Sequence, residues 1–270
     1  WVNPALRASV AQNTLKNNGY FQGRVKYEVL TQKNPKKAKI GYSVSVGPLY
    51  TLDSVAYLNF PPEITQLIAS RASISKLQKG SPFSVSSLDT ERNRISNLLR
   101  DNGYYYYQPG YSSFLADTIQ VPLKVQLKML PTATMPETAK RRWYVGKIDF
   151  YLRKQMGETL TDSVKRKRLT VYYNGKRSPI RSRILMRNIM LRPEHMYRYR
   201  DENLTSTKLM DMGLFSMTDF KFTPRDTTSL SDTLDLSITG LLDKPYDFYV
   251  ETNYTGKTNG RMGPAVIMGF

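Results

Sequence analysis

The chain has 270 residues, room for two or three small domains that each bury a modest core. Forty Lys and Arg against 22 Asp and Glu leave a net charge of +18, which directs attention to an anionic partner or surface. The absence of cysteine excludes disulfides, thiolate metal sites and thiol nucleophiles, and no apolar run approaches the roughly 20 residues of a membrane-spanning helix.

Residues 4–18 read as a helix with Pro4 in its first turn. No secretory leader pattern precedes it, and a chain opening at a helix start reads as a portion of something longer. The helix stops in LKNNGYFQG, where Gly19 follows Leu15 by four positions and Tyr20 and Phe21 come next. Glycine takes the left-handed conformation that ends helices, with the following apolar residue packed back on the last turn. Strands follow at about 22–30 and 38–46 around the basic turn QKNPKK; the second alternates through Ile40, Tyr42, Val44 and Val46, which predicts one covered face. Gly47-Pro48 marks a boundary.

A strand at about 49–58, a helix opened by Pro61-Pro62, and a long helix after KGSPFS come next, with Ser84, Ser86 and Ser87 as candidate N-caps. That helix ends at RDNGYYYYQPGYSSF with Leu99, Gly103 and Tyr104 in the same arrangement as before, and the other tyrosines suit a half-buried strand. DTIQVPLKVQLKM then alternates through Ile119, Val121, Leu123, Val125 and Leu127. PTATMPETAKRR, 131–142, has the composition of a linker.

The order then repeats: a strand at WYVGKIDFYL, a helix around 179–190, and a helix that stops in LMDMGLFSM with Leu209, Gly213, Leu214 and Phe215. The alternating DTLDLSIT closes it through Leu234, Leu236 and Ile238. An insertion at roughly 153–178 adds RLTVYYNGK, a strand ending in an Asn-Gly turn. From Tyr246 two strand-like stretches flank TGKTNG and end on Phe270, either as a surface hairpin or as the entry to a barrel of about 9–11-residue strands. The three glycine stops are too far apart for a short-period solenoid and fit tandem small domains.

LQKGSPFSVSSLDTERNRISNLLRDNGYY, its partner LRPEHMYRYRDENLTSTKLMDMGLFSM, and the shared strand, helix, helix, strand, strand order resemble POTRA domains. These are the periplasmic modules of the BamA/TamA outer-membrane assembly family. The inserted strand and GKTNGRMGPAVIMGF look like the TamA-like proteins of Bacteroidetes; Met212 departs from the Asn found before the other two glycines. The resemblance implies an α+β fold of tandem POTRA domains, β-α-α-β-β, each a three-stranded mixed sheet with two helices on one face. It divides the chain into the C-terminal half of one POTRA domain (1–47), a complete one (48–131), a linker and third domain with the basic insertion (132–242), and the start of a β-barrel (243–270). It further implies the periplasmic side of the outer membrane of a Gram-negative bacterium. The implied partners are unfolded or nascent outer-membrane proteins, a periplasmic or inner-membrane partner protein, and the outer-membrane lipid surface.

By the same resemblance, clients add to the edge strand after each glycine cap: 22–30 with Val25 and Tyr27, about 105–115 with Tyr105, Tyr107 and Tyr111, and 218–223 with Phe220 and Phe222. Such an edge works through free backbone groups. No catalytic residue, cofactor site, metal site or small-molecule substrate is expected. The single histidine, His195, lacks a serine or cysteine motif around it and reads as a surface residue, and phosphate-cradling glycine motifs are missing. Asp89 and Glu91 read as acidic complements to a helix dipole in its first turn.

Residues 161–200 hold over half of the excess positive charge. Lys165, Arg166, Lys167, Arg168, Arg181, Arg183 and Arg187 are candidates for contact with an anionic surface. Two other readings stand beside assembly: a basic module for nucleic acid or another anionic polymer, with Tyr172, Tyr173, Tyr197 and Tyr199 stacking on bases in the nucleic-acid case, and a passive spacer for a barrel. No RNA- or DNA-binding signature accompanies those tyrosines, which disfavours nucleic acid.

Overall fold

In the structure, a computed structural model that describes residues 3–32, 38–226, 231–243, 249–256 and 262–269, all three glycine stops sit at helix ends. Helix α1 (Pro4–Asn17) is opened by Asn3, whose side chain accepts from the Leu6 N–H, and is closed by Gly19 at φ +86°. The Tyr20 N–H donates to the Leu15 carbonyl at 3.0 Å and the Gly19 N–H to Lys16 at 3.1 Å, the paired bonds of a Schellman cap. The Tyr104 and Gly103 N–H groups repeat both bonds to Leu99 and Arg100, and the Gly213 N–H reaches Met210 at 3.0 Å. Gly103 stands at φ +94° and Gly213 at φ +63°.

The chain divides into two compact units, residues 1–142 with 197–199, and residues 143–196 with 200–270. In the first unit, β1 (Arg24–Thr31) and β2 (Ala38–Ser45) pair antiparallel, setting Val25 opposite Val44 and Tyr27 opposite Tyr42. The expected apolar alternation is present, but among the described residues its face lies open: Val44 is 55% exposed and Val29 50%. Residues 33–37, most of the basic turn, lie outside the described residues.

Strand β3 (Thr51–Tyr57), helices α2 (Pro62–Ser70) and α3 (Val85–Arg100), and strands β4 (Ser112–Asp117) and β5 (Lys124–Pro131) follow. The sheet order is β3-β5-β4, with β3 parallel and β4 antiparallel to the central β5. Ile64 and Ile68 of α2 and Ile95 and Leu99 of α3 meet Met129 in one buried cluster. Burying each such side chain contributes roughly 1.5–3 kcal/mol. Met135 and Ala139 join that cluster, so the segment read as a linker packs onto this repeat.

The tyrosine run departs from expectation. Strand β4 begins only at Ser112; Tyr105 lies in a turn, Tyr107 in the irregular segment after it, and Tyr111 closes a single 3-10 turn opened by Pro109. Tyr104 and Tyr107 are each 1% exposed and fill the core under the helix end. The expected alternation also runs past the strand: Ile119 is 90% exposed, Leu123 is left-handed at φ +58°, and β5 keeps only Val125, Leu127 and Met129 as its buried row. Ser84 occupies the N-cap of α3 without a side-chain bond.

In the second unit, β6 (Tyr144–Arg153), β7 (Asp162–Arg166), β8 (Leu169–Tyr173), α4 (Ser182–Asn188), α5 (Tyr199–Met210), β9 (Phe215–Pro224) and β10 (Thr233–Leu242) form a sheet ordered β7-β8-β6-β10-β9. Its last three strands repeat the first unit's pattern: β6 is parallel and β9 antiparallel to the central β10. The insertion supplies two strands where one was read, joined by a two-residue turn at Lys167-Arg168, and β8 runs parallel to β6. Beyond the sheet, β11 (Tyr249–Gly256) and β12 (Met262–Gly269) make an antiparallel pair, with Val266, Ile267 and Met268 exposed. The turn around 257–261 and Phe270 lie outside the described residues.

Candidate functional site

In both complete repeats the last strand is central, which leaves two outer edges, and these edges are treated differently. The outer side of β3 is engaged at its start: the Leu52 N–H donates to Ser81, the Gly80 N–H to Leu52, and the Phe83 N–H to Tyr50. The outer side of β6 is covered by the β7–β8 hairpin. The strand after the glycine cap, β4 in one repeat and β9 in the other, ends its sheet. A strand at a sheet end presents a row of backbone N–H and C=O groups able to pair with another chain.

Phe220 and Phe222 lie on β9, half-buried, opposite Ile238 and Leu236 on the helix-covered face. Leu115 on β4 is 59% exposed. In the two-stranded sheet Val25 is buried against α1 while Tyr27 is 46% exposed. Tyr105, Tyr107 and Tyr111 stand outside β4, so the edge after Gly103 starts seven residues later than the sequence suggested. Aromatic strand propensity lost there to the cap, which draws Tyr104 inward, and to Pro109, which suits the 3-10 turn.

Solved structures similar to this chain were found, while no protein-family model and no curated protein matches it. The BamA POTRA3-5 fragment of Haemophilus influenzae is 18% identical over 86% of this chain and 77% of its own, with a TM-score of 0.46. BamA from Haemophilus ducreyi lacking POTRA domains 1–3 is 15% identical over 77% of this chain and 32% of its own, with a TM-score of 0.48. The N-terminal domain of Omp85 from Thermosynechococcus elongatus is 13% identical over 88% and 84%, with a TM-score of 0.31.

The fold is a tandem α+β arrangement with the element order expected from the POTRA resemblance. That statement rests on the repeated strand, helix, helix, strand, strand order with the last strand central, seen twice over. The second complete repeat departs from the first by its inserted hairpin.

The basic residues of this repeat divide into two groups. Arg168 is committed internally: it donates to the carbonyls of Leu191 at 3.2 Å, Met186 at 3.1 Å and Ile189 at 2.9 Å. These include carbonyls at the end of α4, so the guanidinium closes that helix. Burial, with the positive charge of Arg192 nearby, holds Arg168 below the usual arginine range. Lys165, Arg166, Lys167, Arg181, Arg183 and Arg187 are exposed. His195 is exposed as well, and its Nδ1 lies 3.0 Å from the Pro193 carbonyl. Among the described residues no group of three or more His, Asp or Glu is placed to hold a metal.

Glu91 corrects the sequence reading outright. It lies beyond the first turn of α3 and is 1% exposed. Its carboxylate accepts from Tyr57 at 2.7 Å, Ser75 at 2.9 Å and Arg94 at 2.6 and 2.8 Å. Burial pushes the carboxyl up, but the bonds from Arg94, Tyr57 and Ser75 outweigh it and hold it below the usual carboxylate range. The Tyr57 phenol is pushed up to about 12 by burial and by its bond to Glu91. The network ties β3, α3 and the segment before residue 80 together, which fixes the frame on which β4 hangs.

Proposed function

We propose that this chain is the periplasmic POTRA segment of an outer-membrane protein assembly or translocation factor that takes extended client or partner chains onto its free sheet edges. The observation that carries the reading is the shared asymmetry of the two repeats. Each engages the edge of its first strand and leaves the strand after the glycine cap, β4 or β9, at the end of the sheet. Main-chain pairing at such an edge reads no particular sequence, which suits a factor that handles many clients. The chemistry asks for no catalytic group.

On this reading residues 1–47 are the C-terminal half of one domain. The exposed apolar face of β1 and β2 is then the surface its other half would cover. Residues 48–131 are a complete domain, with 132–142 packed on it, and the next domain extends to about 242. The β11–β12 pair is the entry to the barrel.

The test is made in the full-length parent. Photocrosslinking groups placed along β9 are expected to capture unfolded outer-membrane proteins, and deletion of residues 143–242 is expected to deplete barrel proteins from the outer membrane. A deletion that leaves outer-membrane composition unchanged would return the segment to a passive spacer.

A further inference from the structure

The sheet face of the second unit that points away from its core carries a groove of about 800 Å³, within the size range of ligand sites. Its floor is set by register. Lys165, Thr170 and Asp149 lie side by side across β7, β8 and β6, while Leu169, Ile148 and Val171 face the buried side. Lys167 stands at the hairpin tip and Arg192 on the facing loop.

The charges within the groove are unevenly matched. Lys147 pairs with Asp149 at 3.3 Å and Arg225 with Asp235 at 2.9 Å, so those cations are neutralised. Lys165, Lys167 and Arg192 make no ion pair among the described residues, and Arg192 stands close enough to Arg168 to disfavour its charge. Two non-glycine residues in the left-handed region frame the site, Lys167 at φ +50° and Glu194 at φ +66°. Backbone held in that region is strained, and such strain concentrates at ligand clamps. A second basic concavity, lined by Arg187 and Met186, continues from the same Lys167 and Arg192.

We propose that this groove docks the phosphate headgroup of an anionic membrane lipid, held by Lys165, Lys167 and Arg192. Ammonium, guanidinium and the hydroxyl of Thr170 supply donors to an anion with several acceptor oxygens, while the Thr233 hydroxyl is already committed to Asp232. The choice of a lipid as the source of the phosphate rests on the outer-membrane reading above. Single-stranded nucleic acid is disfavoured because the tyrosines read from the sequence as stacking platforms are engaged or turned away from the groove. Tyr172 is stacked on Tyr151 at 4.9 Å and 10°, Tyr197 is fully buried, and Tyr173 lies on the opposite sheet face from Tyr172.

The test is flotation of this chain with vesicles of equal parts phosphatidylcholine and phosphatidylglycerol, against vesicles of phosphatidylcholine alone. Binding only to the anionic vesicles is expected. Each cation near an anionic surface contributes about fivefold, so Lys165→Gln, Lys167→Gln and Arg192→Gln together should weaken it about 100-fold. A control triple with the same charge change, Arg24→Gln, Lys26→Gln and Lys39→Gln, should retain wild-type binding. Equal losses in both triples would reduce the effect to net charge and overturn the site. Tighter binding of single-stranded DNA, polyglutamate or inorganic phosphate than of the anionic vesicles would overturn the lipid. Peptide addition to β9, measured on the same groove triple, separates this proposal from the assembly reading, since it should be unaffected.

Discussion

Arg94 grips Glu91 with two prongs, Nε to one carboxylate oxygen at 2.8 Å and a terminal nitrogen to the other at 2.6 Å, across one turn of α3. With Tyr57 and Ser75 also donating, the buried carboxylate has its acceptor capacity filled. Removing one partner of such a pair strands the other, at a cost of about 2–4 kcal/mol. Glu91→Gln should therefore lower the denaturant midpoint of the first unit, and Arg94→Ala should do the same.

The same network sets opposite pH limits. Glu91 has a depressed folded pKa, so its contribution is complete above the unfolded value of about 4.3 and is lost as pH falls through the folded one. Tyr57 has a raised folded pKa, so its contribution is complete below its unfolded value of about 10 and is lost as pH rises toward about 12. Stability profiles of wild type, Glu91→Gln and Tyr57→Phe should diverge at both ends. Profiles that stay parallel from about pH 3 to about pH 11 would contradict the assignment.

The glycine caps should differ in sensitivity. A methyl group on any of the three faces the left-handed penalty of about 1–2 kcal/mol. At Gly19 it would also stand 2.9 Å from the Phe83 carbonyl oxygen, whereas at Gly213 nothing lies within 4 Å. Gly19→Ala is expected to cost clearly more than Gly213→Ala in chemical denaturation, with Asn better tolerated than Ala at Gly213.

Arg168 and its basic neighbours should behave in opposite ways. Arg168→Ala leaves the carbonyls of Met186, Ile189 and Leu191 without their donor and should destabilise the second unit by about 2–3 kcal/mol. Lys165→Gln should stay within about 0.5 kcal/mol of wild type. Lys167→Gly should stabilise by up to about 1 kcal/mol, because glycine accepts the φ of +50° that lysine resists. A melting series over these three variants checks the ranking.

The parts of the fold that sequence reveals are those encoded at short range. Leu15 to Tyr20 and Leu99 to Tyr104 each hold a complete cap within six residues, so the helix ends and the repeat order are readable. Strand β7 escapes because DSVKR offers a single apolar residue and no alternation; it is a strand only through its pairing with β8. The tyrosines mislead because their aromatic preference for strands yields to a core vacancy beside Leu99. Glu91 reads as a dipole partner because Tyr57 and Ser75, 34 and 16 residues away, cannot be seen as its neighbours without the fold. The roles of Arg168 and of Lys165 are likewise indistinguishable in KRKR, and only the turn geometry separates them.

The most direct test of the account is amide hydrogen exchange on this chain with and without an extended amphipathic peptide that carries the alternating pattern of an outer-membrane barrel strand. Added protection is expected along Ser112–Asp117 and Phe215–Pro224, the end strands β4 and β9, with little change in the central β5 and β10. Peptide binding that protects neither end strand would contradict edge pairing and with it the proposed mode of client capture.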